Sequence, residues 1–287
     1  MERKKHAVLD HPILGYFLLI LLCYVCLSIC SVIDVGIAKV LPGYGHTEEV
    51  MGMKTTVASG VGTAIGSLLA LLAFKGMFKG EYKGILKKER LLMGLIMLAP
   101  FLVFHYAGSI VSWVTLGTGS VLLAFLKAMA PGFSEEVMFR GMGVANYMRK
   151  IKDEKQIMVI FWLSSIVFGL IHLGNFLSGA DLMASIVQAI YATGVGMLFG
   201  AVYLRTGNLW PTILGHWSVD FMEMIRKDLA VSNGLMMGMG LGDWITVAAG
   251  AFAGIFALVL MSSKHRPEIM EIWKEKWTVQ AEAVAEA

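Results

Sequence analysis

About eight stretches of this chain, roughly 12–33, 55–74, 91–111, 120–148, 157–174, 183–204, 209–226 and 244–263, are apolar over lengths close to the 20 residues a helix needs to cross a bilayer. Hydrocarbon offers the backbone no hydrogen-bond partner, so a crossing segment has to satisfy its own polar groups, which a helix does. Composition agrees: 57% of the 287 residues are hydrophobic and 16% are charged, where soluble domains carry about a quarter charged. The expected fold is therefore an all-α polytopic membrane protein with about eight transmembrane helices.

Lys and Arg are distributed unevenly among the connecting segments. They crowd the N-terminus, 75–90, 149–155, Arg205 and the region after 263, whereas Lys39, Lys54, Arg226 and Lys227 are left for the opposite side. The positive-inside rule then puts both termini in the cytoplasm. The net charge of +3 carries no sign of nucleic-acid binding. Arg3, Lys4 and Lys5 precede an apolar run that opens near Pro12, but the run is long for a secretory signal and no small-residue cleavage site follows, so it reads as a retained first span.

Short loops leave no room for a second folded domain, which gives one transmembrane domain over 1–263 with a motif core at 120–228. The segment 264–287 is a cytoplasmic tail in which Ile269, Ile272, Trp273 and Trp277 stand among Lys and Glu. It suits either an interfacial helix or a solvated tail. Small residues four apart, Gly62/Gly66, Gly196/Gly200 and Gly250/Gly254, prepare close helix packing. Cys23, Cys26 and Cys30 share one helical face and read as small apolar packing groups. Met236, Met237 and Met239 read as flexible apolar filler or a loop contact.

Against this apolar background stand Glu135, Glu136 and Arg140 in the fourth stretch, His172 in the fifth, and His216 and Asp220 in the seventh. An ionisable group at bilayer depth costs roughly 2.5–3.5 kcal/mol on insertion scales, so such residues mark function by default. Glu136 and Arg140, at i and i+4, lie over each other on a helix, whereas the adjacent Glu135 points elsewhere and is left to act as a general base. Pro131-Gly132 is expected to kink the helix or restart it with Ser134 as cap, beside a watery cavity. Asn208 and Pro211 look like the cap and first turn of the next helix. At about 1.5 Å per residue from the cytoplasmic ends, Glu135, His172, His216 and Asp220 fall roughly 16–25 Å deep in a core about 30 Å thick.

An acid, two histidines and a second acid at one depth suit hydrolysis inside the membrane by either of two routes. Glu135, His172 and His216 could hold a cation such as zinc that activates water. Alternatively, Glu135 and His172 polarise the water without metal while His216 and its neighbours stabilise the oxyanion. A transporter or proton relay built from the same residue types, or a catalytically inactive immunity or scaffold protein, are the competing classes. No inverted repeat is visible, and no member of the constellation is missing.

Glu135-Glu136-x-x-x-Arg140, Phe168-x-x-x-His172 and His216-x-x-x-Asp220 together resemble the CPBP (Abi) family of intramembrane proteases, which includes the type II CAAX prenyl endopeptidases. The resemblance implies an intramembrane endopeptidase acting on a peptide or a prenylated, membrane-anchored protein. It implies Glu135 as the water-activating group with His172 as helper, His216 and the residue at position 220 as stabilisers of the transition state, and Glu136 and Arg140 as supporting partners. CAAX-processing members of eukaryotes and archaea usually carry Asn where this chain has Asp220, and bacterial relatives also accept Asp. Asp220 then is protonated, orients His216, or contributes to a metal site. The lack of organelle signals points to the plasma membrane of a prokaryote.

Overall fold

The computed structural model describes residues 8–50, 53–57, 59–79, 81–83, 90–116, 119–177, 179–225 and 241–277. The three methionines 236, 237 and 239, together with Arg226 and Lys227, lie outside the described residues. The helices are α1 (Pro12–Val40), α2 (Val61–Met77), α3 (Leu91–Leu116), α4 (Val121–Glu135), a π-helical segment (Glu136–Val144), α5 (Ala145–Met148), α6 (Glu154–Ile171), α7 (Gly174–Leu177), α8 (Leu182–Thr206), α9 (Trp210–Met224), α10 (Leu241–Leu260), a 3-10 turn (Ser263–His265) and α11 (Arg266–Lys276).

The protein is helical and built for a membrane. Pro12–Val40, Leu91–Val111, Glu154–Leu177 and Leu182–Thr206 are long and apolar enough to cross one singly, and Trp244–Leu260 with Ser263–Lys276 forms a further pair bent by 55°. The other stretches read as spans are made of shorter pieces. Helix α2 has 17 residues and α9 has 15, while α4, the π segment and α5 follow one another over 121–148.

One short antiparallel hairpin departs from the all-helical expectation: β1 (His46–Val50) pairs with β2 (Met53–Val57), His46 opposite Val57. The second apolar stretch was expected to be helical from residue 55, but its helix begins at Val61. Thr55, Thr56 and Val57 are β-branched and suit the extended backbone they adopt.

The chain divides into two compact units. The first comprises Met1–Lys79, Tyr106–Asn146 and Ile213–Lys227. Here α1 packs on α2 and on the π segment, and α2 packs on α4. The Gly62/Gly66 pair serves that packing: a Cβ on Gly62 would lie 2.5 Å from Cys30 O, and one on Gly66 would lie 3.0 Å from Cys30 Cβ. The cysteines are free thiols on this seam. Asp34, fully buried on α1, caps α2 across the seam by accepting from Gly62 N at 2.8 Å and Thr63 N at 3.0 Å, and from the Tyr44 and Thr63 hydroxyls. Tyr44 in turn accepts from Val61 N at 2.9 Å. The first three amides of α2, which a helix cannot satisfy itself, are all matched in this way.

The second unit comprises Gly80–His105, Tyr147–Thr212 and Asp228–Ala287. Helix α8 is its axis, flanked by α6 and α10. Gly250 and Gly254 both face α8, but the opposing small residue is Gly194, at which any Cβ would overlap Gly250; Gly200 keeps 3.8 Å or more from its nearest neighbours. Helix α11 lays Ile269, Met270, Ile272, Trp273 and Trp277, all buried, against protein and packs on α8 and α6. Trp273 Nε1 donates to Leu204 O at 3.0 Å. Lys276 donates to Gly207 O and lies 5.0–5.7 Å from the ring centres of Trp273, Tyr203 and Tyr82. The apolar stripe read as membrane-facing or solvated is thus covered by the protein itself.

Candidate active site

Pro131 does not end its helix. Helix α4 runs through it to Glu135, and Ser134, expected as a cap, is an interior residue. The hydrogen-bond register changes instead after Glu135, where Ala145 N–H reaches back to Arg140 O, five residues away, and the chain continues as a π-helix. A proline removes one donor and strains the preceding turn, but a helix packed on both sides keeps its course, and the change of register comes just past the proline. Such π segments are rare and cluster at functional sites. This one begins at the two glutamates.

Glu136 and Arg140 both lie within the π segment, fully buried, with Arg140 Nη1 2.9 Å from Glu136 Oε1. The same oxygen lies 2.9 Å from His216 Nδ1. Glu136 therefore joins the guanidinium beside it in sequence to an imidazole 80 positions further along. A carboxylate on Nδ1 fixes the ring's orientation by accepting from the Nδ1 N–H.

With Nδ1 so engaged, Nε2 of His216 faces the remaining acids, 3.8 Å from Glu135 Oε2 and 3.4 Å from Asp220 Oδ2. Exposure separates the two glutamates. The side chain of Glu136 is sealed, whereas those of Glu135 and Asp220 each keep 24% of their surface accessible. Oε2 of Glu135 has no hydrogen-bond partner among the described residues. At 3.8 Å the gap to His216 is too long for a direct bond, and one water can touch both atoms.

These residues belong to the first unit, which gathers Glu135, Glu136 and Asp220 around the imidazole of His216 and pairs Arg140 with Glu136. His172 belongs to the second unit, at the C-terminal end of α6, with Nδ1 2.9 Å from Phe168 O and its ring edge-on to Phe168 at 5.3 Å. The motif spacing is what makes that contact, since positions 168 and 172 are one turn apart. Asn208 Oδ1 accepts from Trp210 N at 2.9 Å and starts α9, with Pro211 in its first turn. Gln188, on α8, accepts from the Asn175 side chain at 2.8 Å.

A structural or catalytic zinc needs three or more protein donors around one point. Among the described residues no three His, Cys, Asp or Glu side chains are gathered in that way. His216 directs one nitrogen at Glu136.

Trp217, Tyr16 and Gly143, which shape this site, were not singled out from the sequence, and Gly132 was read only as part of a kink. Gly132 lies directly against the backbone of Trp217, and Tyr16 of α1 lays its ring over Gly143 of the π segment. A glycine inside an apolar helix is the signal that was available, because it marks a close approach more often than a break.

Residues 117–222 match a family model described as type II CAAX prenyl endopeptidase, Rce1-like. No curated protein and no solved structure matches the chain.

Proposed function

We propose that this protein is an intramembrane endopeptidase in which Glu135 activates water beside His216, a reading supported by the match of residues 117–222 to the Rce1-like type II CAAX prenyl endopeptidase model. The observation that carries the reading is the division of labour around one imidazole. Sealed Glu136 holds Nδ1 at 2.9 Å, and the part-exposed side chains of Glu135 and Asp220 turn their buried Oε2 and Oδ2 atoms to Nε2 at 3.8 and 3.4 Å.

In the proposed reaction a water between Glu135 Oε2 and His216 loses a proton to Glu135 as its oxygen attacks the scissile carbonyl carbon. The carbonyl π electrons move to oxygen, and His216, acting as an imidazolium with Nδ1–H on Glu136, donates its Nε2–H to that oxyanion. Collapse of the intermediate breaks the C–N bond, and Glu135 returns its proton to the departing amine. Asp220, 3.4 Å from Nε2, supports His216 as an acceptor; as an ionised group it would repel an oxyanion. His172 enters as a second water-positioning group on the strength of its motif. No step is routed through a metal, because the described donors are not gathered as a metal site requires.

The substrate class that the family implies is a peptide or prenylated protein anchored in the membrane. The host membrane proposed is the plasma membrane of a prokaryote, with both termini in the cytoplasm. The test is cleavage of prenylated and unprenylated peptides in detergent by wild type and Glu135→Gln, with and without a chelator. Cleavage by wild type alone, indifferent to chelator, is the expected result. Cleavage surviving in Glu135→Gln refutes the mechanism, loss of cleavage with chelator refutes the metal-free route, and ion or proton flux without any cleavage favours a transporter.

A further inference from the structure

Resting on the reading that Glu135 and His216 share one water, we infer that Gly132 and Trp217 are a positioning pair that sets the spacing between the glutamates and His216. A Cβ on Gly132 would lie 2.7 Å from Trp217 Cα and Cβ and 2.8 Å from its backbone nitrogen. Helices α4 and α9 therefore meet backbone to backbone at this point, beside His216 on one helix and within a turn of Glu135 on the other.

One contact of that kind leaves a helix free to roll or slide about it. Trp217 supplies the second anchor. Its indole N–H donates to Phe125 O at 3.1 Å, about two turns or roughly 10 Å along α4 from Gly132. The indole is lined by Phe125 at 4.8 Å and Phe133 at 5.8 Å between ring centres. Together the two anchors remove both freedoms, and the adjoining His216 takes its place from them. Gly132 has no side chain and the Trp217 indole is engaged with Phe125 and Phe133, so both act through His216.

The geometry leaves little tolerance. Ordinary contact begins near 3.4 Å, so a methyl at position 132 obliges α9 to retreat by about 0.7 Å. Carried to His216, that retreat stretches its 2.9 Å bond to Glu136 to about 3.6 Å, which is no longer a hydrogen bond. A misplacement near 1 Å costs on the order of 100-fold in rate.

The experiment compares Gly132→Ala, Trp217→Phe and, as control, Trp244→Phe, an exposed change on α10, in the full-length protein. It measures kcat and KM per folded molecule together with the nitrogen-15 histidine resonance of His216 Nδ1–H. The expected result is a fall in kcat of about 100-fold for Gly132→Ala and about 10-fold for Trp217→Phe, KM within threefold, and a shifted His216 resonance in both. The control leaves all three readouts unchanged. A purely structural role would lower the melting temperature and leave kcat per folded molecule and the His216 resonance where they are, and that result overturns the inference. If Gly132→Ala fails to fold, Trp217→Phe decides. If wild type cuts no peptide, the proposed function falls, and the His216 resonance alone decides the positioning pair.

Discussion

Replacing the buried Glu136–Arg140 pair separates its two duties, charge balance and orientation of His216. Both side chains are fully buried and one oxygen of Glu136 serves Arg140 and His216 at 2.9 Å each. Removing one member of a buried ion pair takes the opposite charge away from the other in a dry interior, which costs about 3–5 kcal/mol. Glu136→Leu and Arg140→Met singly are each expected to lose that much, a large share of the roughly 5–15 kcal/mol that holds a typical domain together. The double variant removes both charges together, and apolar replacement of a whole buried pair is commonly neutral or stabilising. It should therefore regain wild-type thermal stability to within about 1 kcal/mol.

Activity should not return with stability. In the double variant His216 loses the Glu136 oxygen that holds Nδ1, so the ring turns and its Nε2 leaves the water site. Loss of one oriented donor costs about 100- to 1,000-fold in kcat, or roughly 3–4 kcal/mol of transition-state stabilisation. The assay is a thermal melt in detergent paired with peptide cleavage per folded molecule. Recovery of kcat alongside stability in the double variant would falsify the claim that Glu136 orients His216, and would reduce it to a counter-ion for Arg140.

Three other outcomes follow from the same geometry. Asp34→Ala removes the acceptor for two backbone amides and two hydroxyls at the start of α2 and should cost about 3 kcal/mol or more in a melt, with kcat per folded molecule unchanged; a loss under about 1 kcal/mol would show that water replaces the cap. The Tyr16 hydroxyl is buried with no hydrogen-bond partner among the described residues, so Tyr16→Phe should leave the melting temperature unchanged or raise it, and a clear fall would reveal a bound water at that site. Lys276→Met removes the ammonium from three aromatic rings and from Gly207 O; α11 should become sensitive to limited proteolysis ahead of the membrane helices, and equal resistance in wild type and variant would show that these contacts do not hold α11 in place.

Much of this protein was legible in its residues, because it depends on neighbours along the chain. Apolar runs of spanning length specify helices wherever the backbone must satisfy itself, and the described structure is helical in all the expected regions apart from the hairpin and the turn ahead of Val61. The i,i+4 spacing is enough to pair Glu136 with Arg140 and to bring Asp220 under His216. The same local rules mislead at Pro131, where propensity argues for a break and packing carries the helix through into a π segment. They also leave the tail open between solvent and interface, since an apolar stripe does not say what covers it; Trp273 and Trp277 are covered by α8 and its neighbours.

Everything that joins distant parts of the chain was decided by the tertiary structure. That Glu136, and not Glu135, takes Nδ1 of His216, that Gly132 meets Trp217, that Asp34 caps α2, and that Gly194 is the residue facing Gly250 each depend on how far one helix is rotated and slid against another. Sequence periodicity states which residues share a face of one helix. Rotation and offset between two helices come from the fit of all their side chains at once, a property of the packed assembly with no counterpart in the order of residues along the chain.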